Sequence, residues 1–221
     1  MNSLFSYFAF IPGKNGAVYN FWYDLETLQQ VPAAATPGAL TAVAAPLTKI
    51  PVFIRPGSIV PRKLRLRRSS KLMHFDPYTL VVAPITAGAL KGTAQGSLYL
   101  DDERSLAHEV SGAYAYRAFT FADNVLTCSA AAPLTTPTAA AVSSTAVSAT
   151  GGVRAAGFDA PNTVERVVIA GQTRAPKKVT LEVEGQNEVE LVFFFDAAAQ
   201  TITIKKPNAK VVDSWAVKLT F

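Results

Sequence analysis

The chain has 221 residues, with 21 Lys and Arg against 16 Asp and Glu, a net charge of +5. Hydrophobic residues make up 49% and charged residues 17%, which supports a sizeable core and excludes intrinsic disorder. The 14 Pro and 13 Gly cut the chain into short segments and argue against a helical bundle, and the single cysteine, Cys128, excludes an internal disulfide framework and a cysteine-built zinc site.

The N-terminal run, with Leu4, Phe5, Tyr7, Phe8, Phe10 and Ile11, lacks a basic start and a small-residue cleavage site, so it reads as a strand and not as a signal peptide. Further runs rich in Val, Ile, Phe, Tyr and Thr place strands at 5–11, 18–25, 50–55, 62–68, 78–84, 97–101, 114–121, 164–170, 178–184, 188–195, 200–205 and 211–220. Only 25–31, just before Pro32, hints at a helical turn. In 62–68, Leu64 and Leu66 alternate with Arg62, Lys63, Arg65, Arg67 and Arg68, the period of a strand with buried leucines and a solvated basic face. That reading leaves no nucleic-acid motif. No apolar run is long enough for a membrane span. The triplet Phe193-Phe194-Phe195 suggests a strand covered on both faces or one meeting a neighbouring domain.

Many short strands between turn signals predict an all-β fold, a single sandwich or a pair of sandwiches. The Gly/Ala/Thr segment 86–96 sets the boundary between 1–90 and 91–221. Within the second domain, 130–160 is low in charge and rich in Ala, Ser, Thr and Pro, and is expected to be a long mobile loop. If the opening strands are missing, the N-terminal run presents an unpaired edge.

Chemistry-bearing residues are sparse. Neither His74 nor His108 sits in a nucleophile context, no Gly-x-Ser-x-Gly elbow exists, and Cys128 reads as a small buried hydrophobe. The densest acidic cluster is Asp101-Asp102-Glu103. Adjacent strand residues point to opposite faces, so the aspartates read first as turn formers, with calcium through Asp101 and Asp102 the minor alternative. No other metal site and no cofactor is expected. Trp22 and Tyr23 are the candidates for stacking on a sugar ring, although aromatics in β-rich proteins more often serve the core.

The sequences Phe10-Ile11-Pro12-Gly13 and Phe21-Trp22-Tyr23-Asp24, the stretch IPVFIRPGSIVPRKLRLRRSSKLMHFDPYTLVVA from Ile50, GSLYLDDERS from Gly96, Glu165-Arg166-Val167-Val168-Ile169 and IKKPNAKVVDSWAVKL near the end together resemble glycoside hydrolase family 31, most of all its glucosidase II α-subunit branch. The resemblance implies two consecutive β-sandwich domains, a proximal C-terminal one at 1–90 that lacks its opening strands and a distal one at 91–221, which follow a catalytic (β/α)₈ barrel. The family's catalytic aspartates lie on that barrel, and no position here matches them, so the chain alone is expected to be inactive. Pro56 stands where the family has a turn glycine, and Glu103 where a glycine follows the Asp-Asp pair, which puts both turns in question. The implied setting is an α-glucosidase that trims N-glycans with retention in the endoplasmic reticulum lumen, with the barrel, a non-catalytic β subunit and the glycan as partners. The alternatives are a free carbohydrate-binding module using Trp22 and Tyr23, or a structural module that docks on a separate subunit.

Overall fold

The computed structural model describes residues 6–10, 21–32, 40–131 and 158–221. Most of 130–160, together with Leu4, Phe5 and Ile11, lies outside them. The described chain is all-β, as expected. Its strands are β1 (Ser6–Phe10), β2 (Phe21–Asp24), β3 (Gln30–Pro32), β4 (Leu40–Ala44), β5 (Phe53–Ile54), β6 (Ser58–Arg62), β7 (Tyr78–Ala83), β8 (Ala94–Leu100), β9 (Ala115–Ala122), β10 (Val125–Ala130), β11 (Val164–Ile169), β12 (Lys178–Val183), β13 (Val189–Glu190), β14 (Val192–Asp196), β15 (Thr201–Lys205) and β16 (Trp215–Thr220). The helical pieces among the described residues are a 3₁₀ turn at Ser70–Met73 and one turn, α1, at Ala107–Val110. Residues 25–27 form a hydrogen-bonded turn that leads into β3, which takes the place of the expected helical turn.

One 11-stranded array runs β13-β12-β16-β10-β9-β8-β6-β7-β11-β15-β14. Its two ends are consecutive in sequence: β13 pairs with β12 and β14 with β15, with the buried Leu191 between them donating its N–H to Val179 at 2.9 Å. The array therefore turns back on itself like a sandwich around one core. Alternate residues face inward, among them Leu80, Phe119, Leu126, Val167, Val179 and Ile204, all 0% exposed. Burying each such side chain contributes roughly 1.5–3 kcal/mol.

The strand β7 is buried along its whole length because it has two cores to serve. Leu80 and Val82 face the main core, while Val81 and Ala83 join Tyr23, Ile54 and Ala170 in a second, smaller one. The sheet β3-β2-β5 supplies that second cover. The ladder also continues across 86–96: β6 pairs with β8 at Ser58↔Gln95, and β7 runs parallel to β11. The N-terminal strand β1 is antiparallel to β4, from Ser6↔Ala44 to Phe10↔Leu40, so one of its edges is paired.

Two expectations are corrected. Residues 63–67 form no strand; β6 occupies 58–62 instead, and the alternation that follows is inverted. Lys63, Arg65 and Arg67 turn toward Glu103, Glu165 and Asp76, while Leu64 and Leu66 are 46% and 99% exposed. Acidic acceptors on the protein side outweigh the pull of the leucines. In the Phe triplet, Phe193 and Phe195 pack on the core and Phe194 is exposed, which overturns cover on both faces within the described chain and leaves the reading of a face for a neighbouring domain.

Candidate functional site

The Asp-Asp-Glu loop leaves β8 and turns into α1. Asp101 Oδ1 accepts the Glu103 N–H at 2.8 Å, and Asp102 Oδ1 accepts those of Arg104 and Ser105 at 3.1 and 2.9 Å. The Ser105 hydroxyl donates to Asp102 Oδ2 at 2.6 Å and accepts the Ala107 N–H that opens the helical turn. These donors, the Ser105 hydroxyl first, hold the Asp102 carboxyl at about 2. Asp102 is thus spent on shaping its own loop, the ordinary work of aspartate in turns. Among the described residues no group of three or more His, Cys, Asp or Glu is arranged to hold a metal ion.

Glu103 takes the left-handed backbone, φ 55°, that the expected glycine would supply, so the tight turn persists with a side chain on it. That side chain reaches across the ladder. Its carboxylate lies 3.0 Å from His74 Nδ1 and 3.5 Å from Lys63 Nζ. The His74 hydrogen bond, helped by the charge of Lys63, holds it below the usual carboxylate range. Lys63 also donates to the His74 carbonyl at 3.0 Å and sits 5.1 Å from the Tyr78 ring centre. Beside this clasp, Arg67 grips the buried Asp76 through Nε and Nη2 at 3.0 and 2.6 Å, which keeps that carboxyl ionised and low. Asn162 donates to the carbonyls of His74 and Asp76 and ties β11 to the same corner. A cleft of about 450 Å³ opens along Ser70, Lys71, His74, Glu103 and Arg104. None of these long-range partners announces itself in sequence; the one available signal is Glu103 at a glycine position.

The other sequence candidates lie elsewhere. Tyr23 is wholly buried, its hydroxyl donating to the Pro84 carbonyl at 3.0 Å and its ring meeting Phe21 edge-on at 5.1 Å. Burial pushes its hydroxyl up to about 12. No face of that ring is open to a sugar. Trp22, on the opposite face of β2, is half-buried. His108 Nδ1 lies 3.7 Å from Asp101 Oδ2 and faces no nucleophile, and the buried Cys128 thiol, pushed up to about 11 by burial, donates to the Val211 carbonyl. The described residues therefore hold a set of clasps and clefts, among them a cleft of about 190 Å³ lined by Asp101, Asp102, Glu103 and Asp159.

The chain is 32% identical over 210 residues to human neutral alpha-glucosidase AB and 35% identical over 210 residues to the Dictyostelium discoideum protein of the same name, covering 95% of this chain and 19% of each relative. A chain of the ER glucosidase II complex, made of a catalytic subunit and the binding domain of a regulatory subunit, superposes with a TM-score of 0.70 at 25% identity over 97% of this chain and 21% of that one. Nearly the whole of this chain is thus similar to one part of these α-glucosidases. No family model matches it. It spans about a fifth of the length of the α-glucosidases it matches.

Proposed function

We propose that these residues are the non-catalytic C-terminal β region of a glucosidase II-like α-glucosidase, packing on and supporting a catalytic (β/α)₈ barrel supplied by the same or a separate polypeptide. The parent reaction is retaining hydrolysis of α-linked glucose during N-glycan trimming in the endoplasmic reticulum lumen, with a regulatory β subunit as a further partner. The observation that carries this reading is the match along 95% of the chain to only 19% of an α-glucosidase. The surface supports it. Leu47, Ile50 and Leu66 are 89%, 86% and 99% exposed, and a shallow apolar groove of about 490 Å³ runs along Val43, Pro46, Leu47, Ile50, Pro51 and Phe53. Large apolar side chains left in water mark a surface made for a partner.

The division into 1–90 and 91–221 belongs to the same proposal, with the Glu103 clasp and the Arg65–Glu165 pair fastening its seam. A free carbohydrate-binding module now rests on Trp22 without Tyr23, and is the weaker reading. Turnover of an aryl α-glucoside by the purified chain is the direct test. No turnover is expected. Activity lost on substituting Asp101 or Asp102 would overturn the proposal.

A further inference from the structure

A row of cations crosses the outer face of the array. The registers set Arg62 beside Thr79, Thr79 beside Arg166, Arg166 beside Lys205 and Lys205 beside Val192, so these side chains share one face of β6, β7, β11, β15 and β14. At the usual strand spacing the three cations fall within about 15 Å. Among the described residues none of them has an ion pair or a side-chain hydrogen bond. The acids nearby are spent: Glu165 holds Arg65 at 2.8 Å, and Asp196 accepts the N–H groups of Ala198 and Ala199 in its own turn. Thr79, between Arg62 and Arg166, is buried, and its hydroxyl has no partner among the described residues. The next row on the same face is apolar toward the array's end, where Val168 is half-buried and Phe194 exposed; Val192, which closes the cation row, is exposed as well.

Folding alone does not account for this row. Arg166 and Lys205 are direct cross-strand neighbours, and like charges so placed destabilise a sheet. We infer that the row seats an acidic segment of a partner protein, whose carboxylates meet Arg62, Arg166 and Lys205 while its apolar side chains lie against Val168, Val192 and Phe194. A guanidinium takes a carboxylate through two parallel hydrogen bonds, and such charge-assisted bonds are roughly twice as strong as neutral ones. Charge and apolar surface side by side suit a polypeptide, which carries both kinds of side chain. A single-stranded nucleic acid asks for several stacking rings along its cations, and in these two rows Phe194 alone supplies one. The seat shares no residue with the apolar groove described above, so the inference goes beyond the proposed function and needs no barrel.

The test is fluorescence anisotropy of a short labelled peptide of alternating glutamate and leucine, titrated with the full chain, beside its glutamine counterpart and a single-stranded RNA. Saturable binding of the glutamate peptide, weakened by added salt, is expected. Lys205→Glu turns the like-charged pair into an attractive one, so it should melt no lower than the parent chain while weakening binding at least about tenfold. Arg166→Gln should weaken binding to a similar degree, whereas Lys218→Gln, which removes an exposed cation on β16, should leave it unchanged. No saturable binding, equal binding of the glutamine peptide, tighter binding of the RNA, or undiminished binding by the folded Lys205→Glu and Arg166→Gln variants would overturn the inference. None of these readouts involves turnover or a barrel, so failure here is distinct from failure of the proposed function.

Discussion

Glu103 carries two opposing effects. Holding a non-glycine residue at φ 55° costs on the order of 1 kcal/mol, whereas its contacts with Lys63 and His74, half-exposed as Glu103 is, contribute roughly 0–1 kcal/mol each. Glu103→Ala keeps the strain and loses both contacts, so it should destabilise by about 1 kcal/mol. Glu103→Gly loses the contacts but relieves the strain, and should melt close to the parent chain. Thermal melts of the two variants give the order; Ala as stable as Gly would contradict it. Asp102 is expected to make stability fall in acid. Its folded pKa of about 2 lies below the ordinary 3.8, so its contribution is full above 3.8 and is lost as the pH falls toward 2. Asp102→Asn keeps an acceptor oxygen but removes the titration. Its urea midpoint should decline less than the parent's over that window, and equal declines would refute the role. At this scale the sequence reveals what is local. The Asp102 turn and the buried Cys128 follow from residue type and immediate neighbours. The partners of Glu103 and the burial of Tyr23 do not, because they are set by strands far apart in the chain.

Among the elements, β6 shows how pattern reading fails. Pro61 and the basic run after it argue against a strand at 58–62, yet β6 pairs with β7 along its length and with β8 only at Ser58↔Gln95. Pro61 therefore lies where β8 asks for no donor, and its missing N–H costs little. The run 62–68 has the right period with the wrong face, since periodicity states that neighbours differ and not which set turns inward. Strands with buried alternation, such as β9 and β16, are legible because one core face dictates them. The approach of β6 to β8 depends on Gly96: a Cβ there would run into the Ile59 carbonyl. Gly96→Ala should cost about 2–3 kcal/mol and loosen the 58–62 ladder first. Hydrogen exchange would locate the loss; a variant as stable as the parent, with unchanged protection at Ile59 and Val60, would show that the approach is not required.

Among the described residues, the main core and the smaller one beneath the β3-β2-β5 sheet make up the inside, and Leu47, Ile50 and Leu66 are exposed. Each large apolar side chain left in water forgoes roughly 1.5–3 kcal/mol, and several together rival the 5–15 kcal/mol stability of a typical domain. Such a surface costs least when a partner covers it. The partner proposed for it is a family 31 barrel, and sedimentation velocity of the chain co-expressed with such a barrel lacking its own C-terminal region tests that pairing. The expected result is a 1:1 complex, weakened by Leu66→Asp, with the chain alone prone to self-association. Two separately sedimenting monomers, with the chain soluble and well folded by itself, would contradict the account.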